Sequence, residues 1–205
     1  MKKILFFTLS LIAFVSFSFI PATNKDVVTY KIDPSQTNIV WFGKKVTGMH
    51  SGALQLSEGY ITMKNEKLAG GTFEFDMKSI TVSDLKDPNY NQKLVSHLKS
   101  DDFFAVDKFP TAKFEITKAK HLGKNQYAVT GNLTVKGITK EVMIPAFVSI
   151  SDNGGAVAVI TNKFKINRIQ FDIKYRSANF VEDIGDKAID DDFELEVTQM
   201  IARRQ

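Results

Sequence analysis

The feature that most constrains the fold is the recurrence of apolar residues at every second position in short stretches along the chain. Examples are Phe73-Phe75-Met77, Phe114-Ile116, Tyr127-Val129-Leu133-Val135, Ile169-Phe171-Ile173-Tyr175 and Phe193-Leu195-Val197. A period of two is typical of strands with one buried face. Short turns, such as Asn65-Glu66 and Gly123-Lys124-Asn125, separate the stretches and join antiparallel neighbours. The pattern predicts an all-β domain of about eight or nine antiparallel strands, as a barrel or a sandwich.

One segment breaks this period. Between Pro88 and Lys99 the apolar residues Tyr90, Leu94, Val95 and Leu98 have helical spacing. Asp87 is a suitable N-cap, and Pro88 suits a first helical turn. We expect one short helix over about residues 88–99, packed on an end or flank of the barrel. The irregular, acidic stretch from Ser177 to Asp192 is expected to cross the barrel before the last strand.

Some strands are apolar on both faces. Alternation nearly disappears over residues 141–148 and 39–42, whereas an antiparallel sheet with one wet face alternates clearly. In a closed barrel, the second apolar surface lines a cavity or meets a helix, a loop or a partner. Ordinary sandwich packing is the alternative. A membrane-spanning barrel is disfavoured, because its strands need about 9–11 residues and a polar lumen.

The N-terminus has the pattern of a secretory signal peptide. Met1-Lys2-Lys3 precedes an apolar or hydroxylated run from Ile4 to Ile20, and Pro21-Ala22 follows it. We expect cleavage near Ala22, a mature domain over residues 23–205, and a periplasmic or secreted protein. An uncleaved membrane anchor is the alternative, because the run approaches the roughly 18 apolar residues that can span a bilayer.

Composition excludes several classes of function. The chain has no cysteine, which excludes thiol catalysis, thiol redox chemistry and thiolate metal sites. Without disulfides, the stability of the fold depends on core burial. Lys2 and Lys3 lie in the expected signal peptide, so its removal lowers the net charge from +4 to +2. No run of basic residues forms a patch, and nucleic acid is therefore not an expected partner.

The sequence contains no recognisable motif for a catalytic or metal centre. The three histidines, His50, His97 and His121, are not at metal-ligand spacing, and no hydrolase, metalloprotease or phosphate-binding motif is present. The acidic clusters Asp101-Asp102 and Asp190-Asp191-Asp192 lack the calcium-loop pattern and are interpreted as solvated turns and caps. We expect no enzyme, no metal and no cofactor. An enzyme would need a polar constellation of His97, Asp101, Asp102 and Arg168.

The aromatic residues favour an apolar ligand. Twelve of the 17 phenylalanines follow residue 22, and several crowd residues 103–114. Phenylalanine carries a large apolar area and no polar group. Some of these side chains fill the core, but an eight-stranded barrel is just wide enough to hold one slim ligand. Each CH₂ of a hydrocarbon chain removed from water contributes about 0.8 kcal/mol, so a long chain binds without specific polar contacts.

Four segments resemble the YceI-like polyisoprenoid-binding family. They are residues 94–114 (LVSHLKSDDFFAVDKFPTAKF), 129–142 (VTGNLTVKGITKEV), 30–35 (YKIDPS) and 164–175 (FKINRIQFDIKY). The resemblance implies an exported protein with an eight-stranded antiparallel, lipocalin-like barrel. Its interior would take a polyisoprenoid chain, such as a prenyl pyrophosphate or a quinone tail. The sequence departs from the family pattern at Asp172, where a glycine is expected.

The resemblance also implies roles for individual residues. Phe103, Phe104, Phe109 and Phe114 would shape the barrel wall and mouth. Gly131 and Gly137 would permit close backbone approach and a tight turn. Arg168 would pair with a headgroup phosphate or with a buried carboxylate, and a salt bridge under a loop is its structural alternative. The candidate ligand-binding residues are Trp41, Phe73, Phe75, Phe103, Phe104, Phe109, Phe114, Ile116, Tyr127, Val129, Leu133, Phe164, Arg168 and Phe171.

The sequence therefore predicts an exported lipid-binding protein that carries or sequesters an isoprenoid lipid, with transient membrane contact. The lipid would be a prenyl pyrophosphate or quinone-like molecule. The alternative is a structural or stress-response interaction module whose barrel is filled by its own side chains and binds no lipid. The sequence makes no prediction for the oligomeric state.

Overall fold

The structure is a computed structural model, and it describes residues 27–205. The expected signal peptide, residues 1–22, and its cleavage site near Ala22 lie outside the described residues. Within residues 27–205, every helix is too short or too polar to cross a membrane.

Nine strands and one α-helix make up the described part of the chain. The strands are β1 (Val27–Lys45), β2 (Gly48–Lys64), β3 (Lys67–Asp76), β4 (Thr111–Gly123), β5 (Gln126–Val135), β6 (Ile138–Ile150), β7 (Ala156–Ile160), β8 (Phe164–Asn167) and β9 (Ile189–Arg204). The helix is α1 (Pro88–Lys99), and short 3-10 helices cover Met77–Ser79, Arg168–Phe171 and Gly185–Lys187.

The strands form one closed antiparallel barrel. Strands β1 to β7 pair in chain order, and β9 pairs with both β7 and β1 to close the ring. Strand β8 pairs with β9 alongside β7, so β7 and β8 together occupy one interrupted strand position. Between them, Thr161 N–H donates to Val197 O at 2.9 Å, and Thr161 Oγ accepts from Val197 N–H at 2.9 Å. The predicted eight-stranded barrel is confirmed, and a sandwich is excluded.

The inward face of β1 changes partway along the strand. Tyr30 and Ile32 are buried before the irregularity between Asp33 and Thr37, and Ile39 is buried after it. The Asp33 carboxylate accepts hydrogen bonds from the N–H and Oγ of Ser35 at 3.0 and 2.6 Å, which holds the irregular turn. The irregularity displaces the alternation of the strand by one position. Inward-facing residues therefore have even numbers before it and odd numbers after it.

Residues 39–42 are apolar on both faces of the strand, and the two faces contact different parts of the molecule. Ile39 and Trp41 line the barrel interior. Phe42 lies on the other face, where Lys163 Nζ stands 3.5 Å from its ring centroid. Likewise on β6, Ala146 and Val148 are buried, whereas Met143 is 68% exposed.

Helix α1 has the bounds that the sequence predicted. The Asp87 carboxylate accepts from Asn89 N–H at 2.8 Å and from Tyr90 N–H at 3.1 Å, and Pro88 occupies the first turn. Leu98 is buried against the barrel. Residues 77–110, which contain α1, and residues 168–188 cover one end of the barrel, which we call the helix end.

The opposite end, which we call the hairpin end, is closed by tight turns. They lie at Asn65–Glu66, Lys124–Asn125 and residues 151–155, with positive φ at the turn positions Asn65, Glu66, Lys124 and Gly154. The hydroxyl of buried Tyr30 donates to Gly154 O at 3.0 Å, which ties β1 to the β6–β7 turn. The hairpin end is therefore built from short turns, one of which is held by a buried tyrosine.

The predicted strand at residues 169–175 is wrong. Strand β8 ends at Asn167, whose side chain accepts from Ile169 N–H at 3.1 Å and begins the 3-10 helix Arg168–Phe171. Asp172 ends that helix with φ of 57°, the left-handed conformation that glycine adopts most easily. This conformation explains why the family pattern has a glycine at this position. In this chain, aspartate adopts the same conformation. A hydrogen bond from Lys174 and its charge lower the pKa of Asp172.

Candidate functional site: an apolar cavity in the barrel

The barrel encloses a cavity of about 210 Å³. All eight strand positions contribute lining side chains, and Leu98 of α1 joins them. Among these lining residues, Thr161, Arg168, Asp190 and Asp192 are polar, and the others are apolar or glycine. The cavity therefore offers hydrocarbon a long apolar surface and few polar contacts.

The cavity is sealed at the hairpin end. The lining residues there, Ile61, Leu68, Val148 and Met200, are each no more than 7% exposed. The hydroxyl of buried Tyr127 accepts from Leu68 N–H at 3.4 Å, beneath the lining. The lining at this end is therefore shielded from solvent.

The cavity reaches solvent at the helix end. Phe103 and Phe104 follow α1 and cover this end, and Phe104 N–H donates to Leu98 O at 3.1 Å. The ring of Phe104 meets that of Phe193 edge to face, with centroids 6.4 Å apart. Ile189 and Phe193 at the start of β9 also line the cavity and are only partly buried. The cavity mouth therefore lies near the start of β9.

Residues 79–84 extend the barrel wall beside β2 at the helix end. Trp41 Nε1 donates to Thr81 O at 2.9 Å. Gly52 makes this approach possible, because a Cβ at that position would lie 1.8 Å from Thr81 O. Asp84 ends the segment and accepts from Ser51 N–H and from His50 Nδ1, both at 2.8 Å. Burial raises the pKa of Asp84, but these hydrogen bonds outweigh it and lower the pKa overall.

Arg168 holds the two irregular segments of the helix end together. Its Nε donates to Asp190 O at 2.9 Å, its Nη1 to the carbonyls of Ile173 and Tyr175 at 2.7 and 3.0 Å, and its Nη2 to Ile189 O at 2.9 Å. A fifth hydrogen bond joins Nη2 to Asp191 at 3.4 Å. Burial lowers the pKa of Arg168, and the charges of Asp191 and Asp190 partly oppose that effect.

All five N–H donors of the Arg168 guanidinium are therefore engaged. Of the two roles that the resemblance implies, the structure supports the carboxylate partner, which is Asp191. The other oxygen of Asp191 accepts from Asn179 Nδ2. No donor of Arg168 remains for a headgroup phosphate.

Most of the candidate ligand-binding residues line the cavity. These are Trp41, Phe73, Phe75, Phe103, Phe104, Phe114, Ile116, Val129, Leu133, Phe164 and Arg168. Contact between these residues and a ligand stays a prediction. The two glycine predictions are confirmed: a Cβ at Gly131 would lie 2.6 Å from the Phe114 ring, and Gly137 has φ of +73° in the β5–β6 turn.

Three candidates, Phe109, Tyr127 and Phe171, are not among the residues that line the cavity, and their contact with a ligand stays a prediction. Phe109 packs on the β5–β6 turn, where a Cβ at Gly137 would lie 3.1 Å from its ring. Tyr127 belongs to the core of the hairpin end, because its buried hydroxyl needs the Leu68 N–H as a partner. Phe171 is 1% exposed on the 3-10 helix rather than on a strand.

Sequence reasoning missed part of the lining. Phe193, Leu195 and Val197 line the cavity from β9, and their period of two was visible in the sequence. The acidic cluster at residues 190–192 lies at the start of β9 rather than in a turn, although Asp190 is exposed as a solvated acid is expected to be. Asp192 accepts from Asn167 Nδ2 at 3.0 Å, a contact that only the fold creates.

The four residues that an enzyme would need do not gather at the cavity. His97 Nε2 contacts Asp102 at 2.9 Å, and its ring meets those of Phe103 and Tyr175 edge to face. Asp101 pairs with Lys108 at 2.7 Å on the surface. Of the four, Arg168 alone lines the cavity. Within residues 27–205, no group of three or more His, Asp or Glu side chains is arranged to hold a metal ion.

A closed antiparallel barrel around an apolar cavity is the architecture of lipid-binding barrels. The model of the YceI-like domain matches residues 30–199, and the chain belongs to the YceI-like family. The family resemblance in the sequence is thereby confirmed.

Relatives by sequence are bacterial proteins of the UPF0312 group. The chain is 29% identical to a UPF0312 protein of Photorhabdus laumondii over 182 residues, which is 86% of this chain and 88% of that protein. It is 38% identical to a UPF0312 protein of Azotobacter vinelandii over 84 residues, which is 37% of this chain and 43% of that protein. The latter match therefore spans less than half of the relative's length.

Solved structures share the fold. BcnA of Burkholderia cenocepacia has a TM-score of 0.64 at 22% identity, covering 83% of this chain and 99% of that one. A polyisoprenoid binding domain from Saccharophagus degradans has a TM-score of 0.63 at 8% identity, covering 87% of this chain and 99% of that one. At these identities the similarity concerns the fold alone.

Proposed function

We propose that this protein binds an isoprenoid lipid, with the hydrocarbon chain inside the barrel, and carries or sequesters it outside the cytoplasm. The observation that carries the proposal is the cavity, whose lining is apolar from the sealed hairpin end to the mouth. The polyisoprenoid binding domain among the structural neighbours supports the choice of ligand class. No chemistry at the cavity is needed for this role, and the protein acts as a binding protein rather than as an enzyme.

The alternative function, an interaction module with a filled barrel, expects the strands to pack their side chains against one another. The cavity of about 210 Å³ is not expected for such a barrel. One face of β1 and one face of β6 line the cavity, as the lipid-binding function expects of strands that are apolar on both faces.

We expect the difference between the two ends of the cavity to set the orientation of the lipid. The hydrocarbon would lie toward the hairpin end, where the lining is buried and apolar. The head group would lie at the helix end, where the lining residues Phe104 and Ile189 are only partly buried. Since each buried CH₂ contributes about 0.8 kcal/mol, the chain supplies most of the affinity and the head group supplies selectivity.

We propose export because residues 1–22 have the pattern of a signal peptide: a basic start, then an apolar run, then a small residue. We expect the protein in the periplasmic or secreted fraction with a new N-terminus near Thr23. N-terminal sequencing of the fractionated protein tests this. A protein that stays with the membrane and retains Met1 would show an uncleaved anchor instead. Loading and release of the lipid would occur by transient contact with a membrane.

Trp41 provides a direct binding test, because it is the single tryptophan of the chain and lines the cavity. Titration of delipidated protein with geranylgeraniol, a C20 isoprenoid alcohol, should give a saturable change in Trp41 fluorescence with one site per barrel.

A matched pair of variants separates the cavity from the surface. Ala146→Phe places a ring in the cavity, since Ala146 is 7% exposed and lines it. Ala128→Phe adds the same ring on the neighbouring strand, at a position outside the lining. The first variant should lose binding and the second should retain it. Equal binding by both folded variants, or no saturable binding by the wild type, would contradict the proposal.

A further inference from the structure

Four exposed apolar side chains lie on the two connections that flank the cavity mouth. Val46 and Met49 lie where β1 turns into β2, and Phe180 and Val181 lie between β8 and β9. Each of the four is between 43% and 63% exposed. Both connections belong to the helix end, so these side chains and the mouth lie at the same end of the barrel.

Hydrogen bonds fix both connections to the residues that form the mouth. Val46 N–H donates to Ala188 O at 3.3 Å, directly beside Ile189, which lines the cavity. On the other side, Ile189 N–H donates to Arg176 O at 2.9 Å, four residues before Phe180. The exposed apolar residues are therefore held next to the opening through which a hydrocarbon chain would pass.

A buried anchor holds Phe180 and Val181 in the solvent. Their backbone N–H groups both donate to the carbonyl oxygen of Ser177 at 3.1 Å, and Ser177 is fully buried. Neither apolar side chain is part of the core formed by residues 27–205. The nearest charge to the Phe180 ring is the Nζ of Lys174, 5.2 Å from its centroid. The turn therefore presents apolar surface to the surroundings and does not use it for packing.

The charges on these two connections are balanced. Residues 44–49 and 172–190 contain five basic and five acidic residues. A bilayer with anionic lipids attracts polybasic segments, and this composition provides no such attraction. Contact with a bilayer would therefore depend on insertion of the apolar side chains, as in proteins that lie at the membrane interface.

The hairpin end has no comparable surface. It exposes Val27 and Leu122 to a similar degree, 56% and 55%. These residues lie on β1 and β4, which are three strand positions apart in the barrel. Single apolar residues scattered over a surface are normal in globular proteins. The cavity is also sealed at this end, so the two features that would favour a lipid surface are both absent from the hairpin end of the described chain.

We propose that Val46, Met49, Phe180 and Val181 form a membrane-docking face, which inserts into the surface of a lipid bilayer and brings the cavity mouth against it. This inference rests on the proposed function and names the surface by which the lipid is loaded and released. The occupant is a bilayer because the face borders the mouth of an apolar cavity, and a bilayer is where a long hydrocarbon chain resides. Docking lets the chain pass between bilayer and cavity with little exposure to water, which is the unfavourable step for a hydrocarbon.

The test is whether release of the lipid requires collision with a bilayer. Protein loaded with geranylgeraniol is mixed with increasing concentrations of phosphatidylcholine vesicles, and release is followed by Trp41 fluorescence. We expect the release rate to rise in proportion to the vesicle concentration, because docking precedes transfer. A rate that does not depend on vesicle concentration would mean that the lipid leaves through water, which would overturn the inference and leave the proposed function intact. No binding of geranylgeraniol would overturn both.

Matched double variants test which face docks. Phe180→Ser with Val181→Ser should lower the slope of release rate against vesicle concentration by about tenfold, because two apolar side chains no longer insert into the bilayer. Val27→Ser with Leu122→Ser removes side chains of similar exposure from the hairpin end and should leave the slope unchanged. Equal slopes in the two double variants would overturn the inference.

Two further measurements keep the test specific. Val46→Ser, on the other connection, should also lower the slope, and circular dichroism checks that each variant is folded. All proteins are compared with the same N-terminus, checked by mass, because the apolar run from Ile4 to Ile20 would itself insert into a bilayer. Self-association of the wild type that is lost in Phe180→Ser with Val181→Ser, together with an unchanged slope, would assign the face to a second copy of the chain and overturn the inference.

Discussion

The two ends of the barrel are closed in different ways. At the hairpin end, tight turns connect neighbouring strands, and the lining residues Ile61, Leu68 and Met200 are buried. At the helix end, the long connections over residues 77–110 and 168–188 cover the strands, and Arg168 fixes the second of them to the start of β9. Local turn geometry and apolar packing therefore seal one end, whereas long-range polar contacts build the end that carries the mouth.

The largest expected effect is at Arg168, because the helix end depends on it. Arg168→Ala leaves four backbone carbonyls and Asp191 without their donor, which should lower the free energy of unfolding by about 3–5 kcal/mol. Arg168→Lys should not restore it, since an ammonium lacks the planar five-donor geometry. Urea unfolding measures the loss, and hydrogen exchange should show it first in residues 168–191.

Arg176→Ala is the control for this change, because Arg176 is an exposed arginine of the same segment. We expect an effect within about 0.5 kcal/mol. If Arg168→Ala were as mild as Arg176→Ala, the helix end would not be held together by the buried guanidinium.

A pair of isoleucines compares apolar packing at the two ends. Ile61 at the hairpin end is 1% exposed, and Ile61→Ala should destabilise the protein by about 2–5 kcal/mol. Ile189 at the helix end lines the cavity but is half-buried, so Ile189→Ala should cost about 1.5 kcal/mol or less and should act mainly on lipid affinity. Thermal unfolding with and without bound lipid distinguishes the effects. The reverse order of stability losses would contradict the comparison.

A pair of glycines tests how closely the segments of the helix end approach each other. Gly52→Ala forces the Thr81 carbonyl to move, since the new Cβ would lie 1.8 Å from its oxygen, and we expect a loss of about 1–3 kcal/mol. At Gly43, which also lines the cavity near the mouth, a Cβ would meet Trp41 at 3.7 Å, an ordinary contact. Gly43→Ala should therefore be nearly neutral in chemical denaturation. Equal losses in both variants would mean that the Thr81 contact is not the constraint.

The smallest predicted effect concerns the pH dependence of the Asp84 anchor. The folded-state pKa of Asp84 lies below its ordinary value of 3.8, so its contribution is complete above that value and is lost as the pH falls through the lower, folded-state pKa. At neutral pH, Asp84→Asn should cost about 1 kcal/mol, the value of a typical hydrogen bond. The difference from wild type should shrink in acid. The exposed Asp107→Asn is the control and should change stability little at any pH. A difference that is constant with pH would contradict this account.

The two ends also differ in how far the sequence predicts them. The period of two and the turn residues predicted the barrel, and the Asp87-Pro88 start predicted α1, because strands, turns and caps are determined by neighbouring residues. The period of two wrongly predicted a strand at Ile169-Phe171-Ile173-Tyr175. There, a 3-10 helix forms, and Arg168 donates to the carbonyls of Ile173 and Tyr175.

The cavity itself was predicted better than the segments around its mouth. Inward-facing aromatic residues such as Phe73 and Phe114 could be identified because strand alternation places them on the inner face. The acidic run at residues 190–192 has no local pattern that distinguishes a solvated turn from the start of a strand. Its role becomes visible only when the barrel brings Asn167 and Arg168 beside it, as their hydrogen bonds to Asp192 and Asp191 show.

The most direct test of the central claim is native mass spectrometry of the protein, produced in a bacterial host and purified without detergent. Organic extraction and identification of the bound molecule follow. We predict one isoprenoid lipid per barrel, and its loss in Ala146→Phe but not in Ala128→Phe. An empty wild-type protein that also fails to take up prenyl chains would contradict the lipid-binding account and would favour the interaction module.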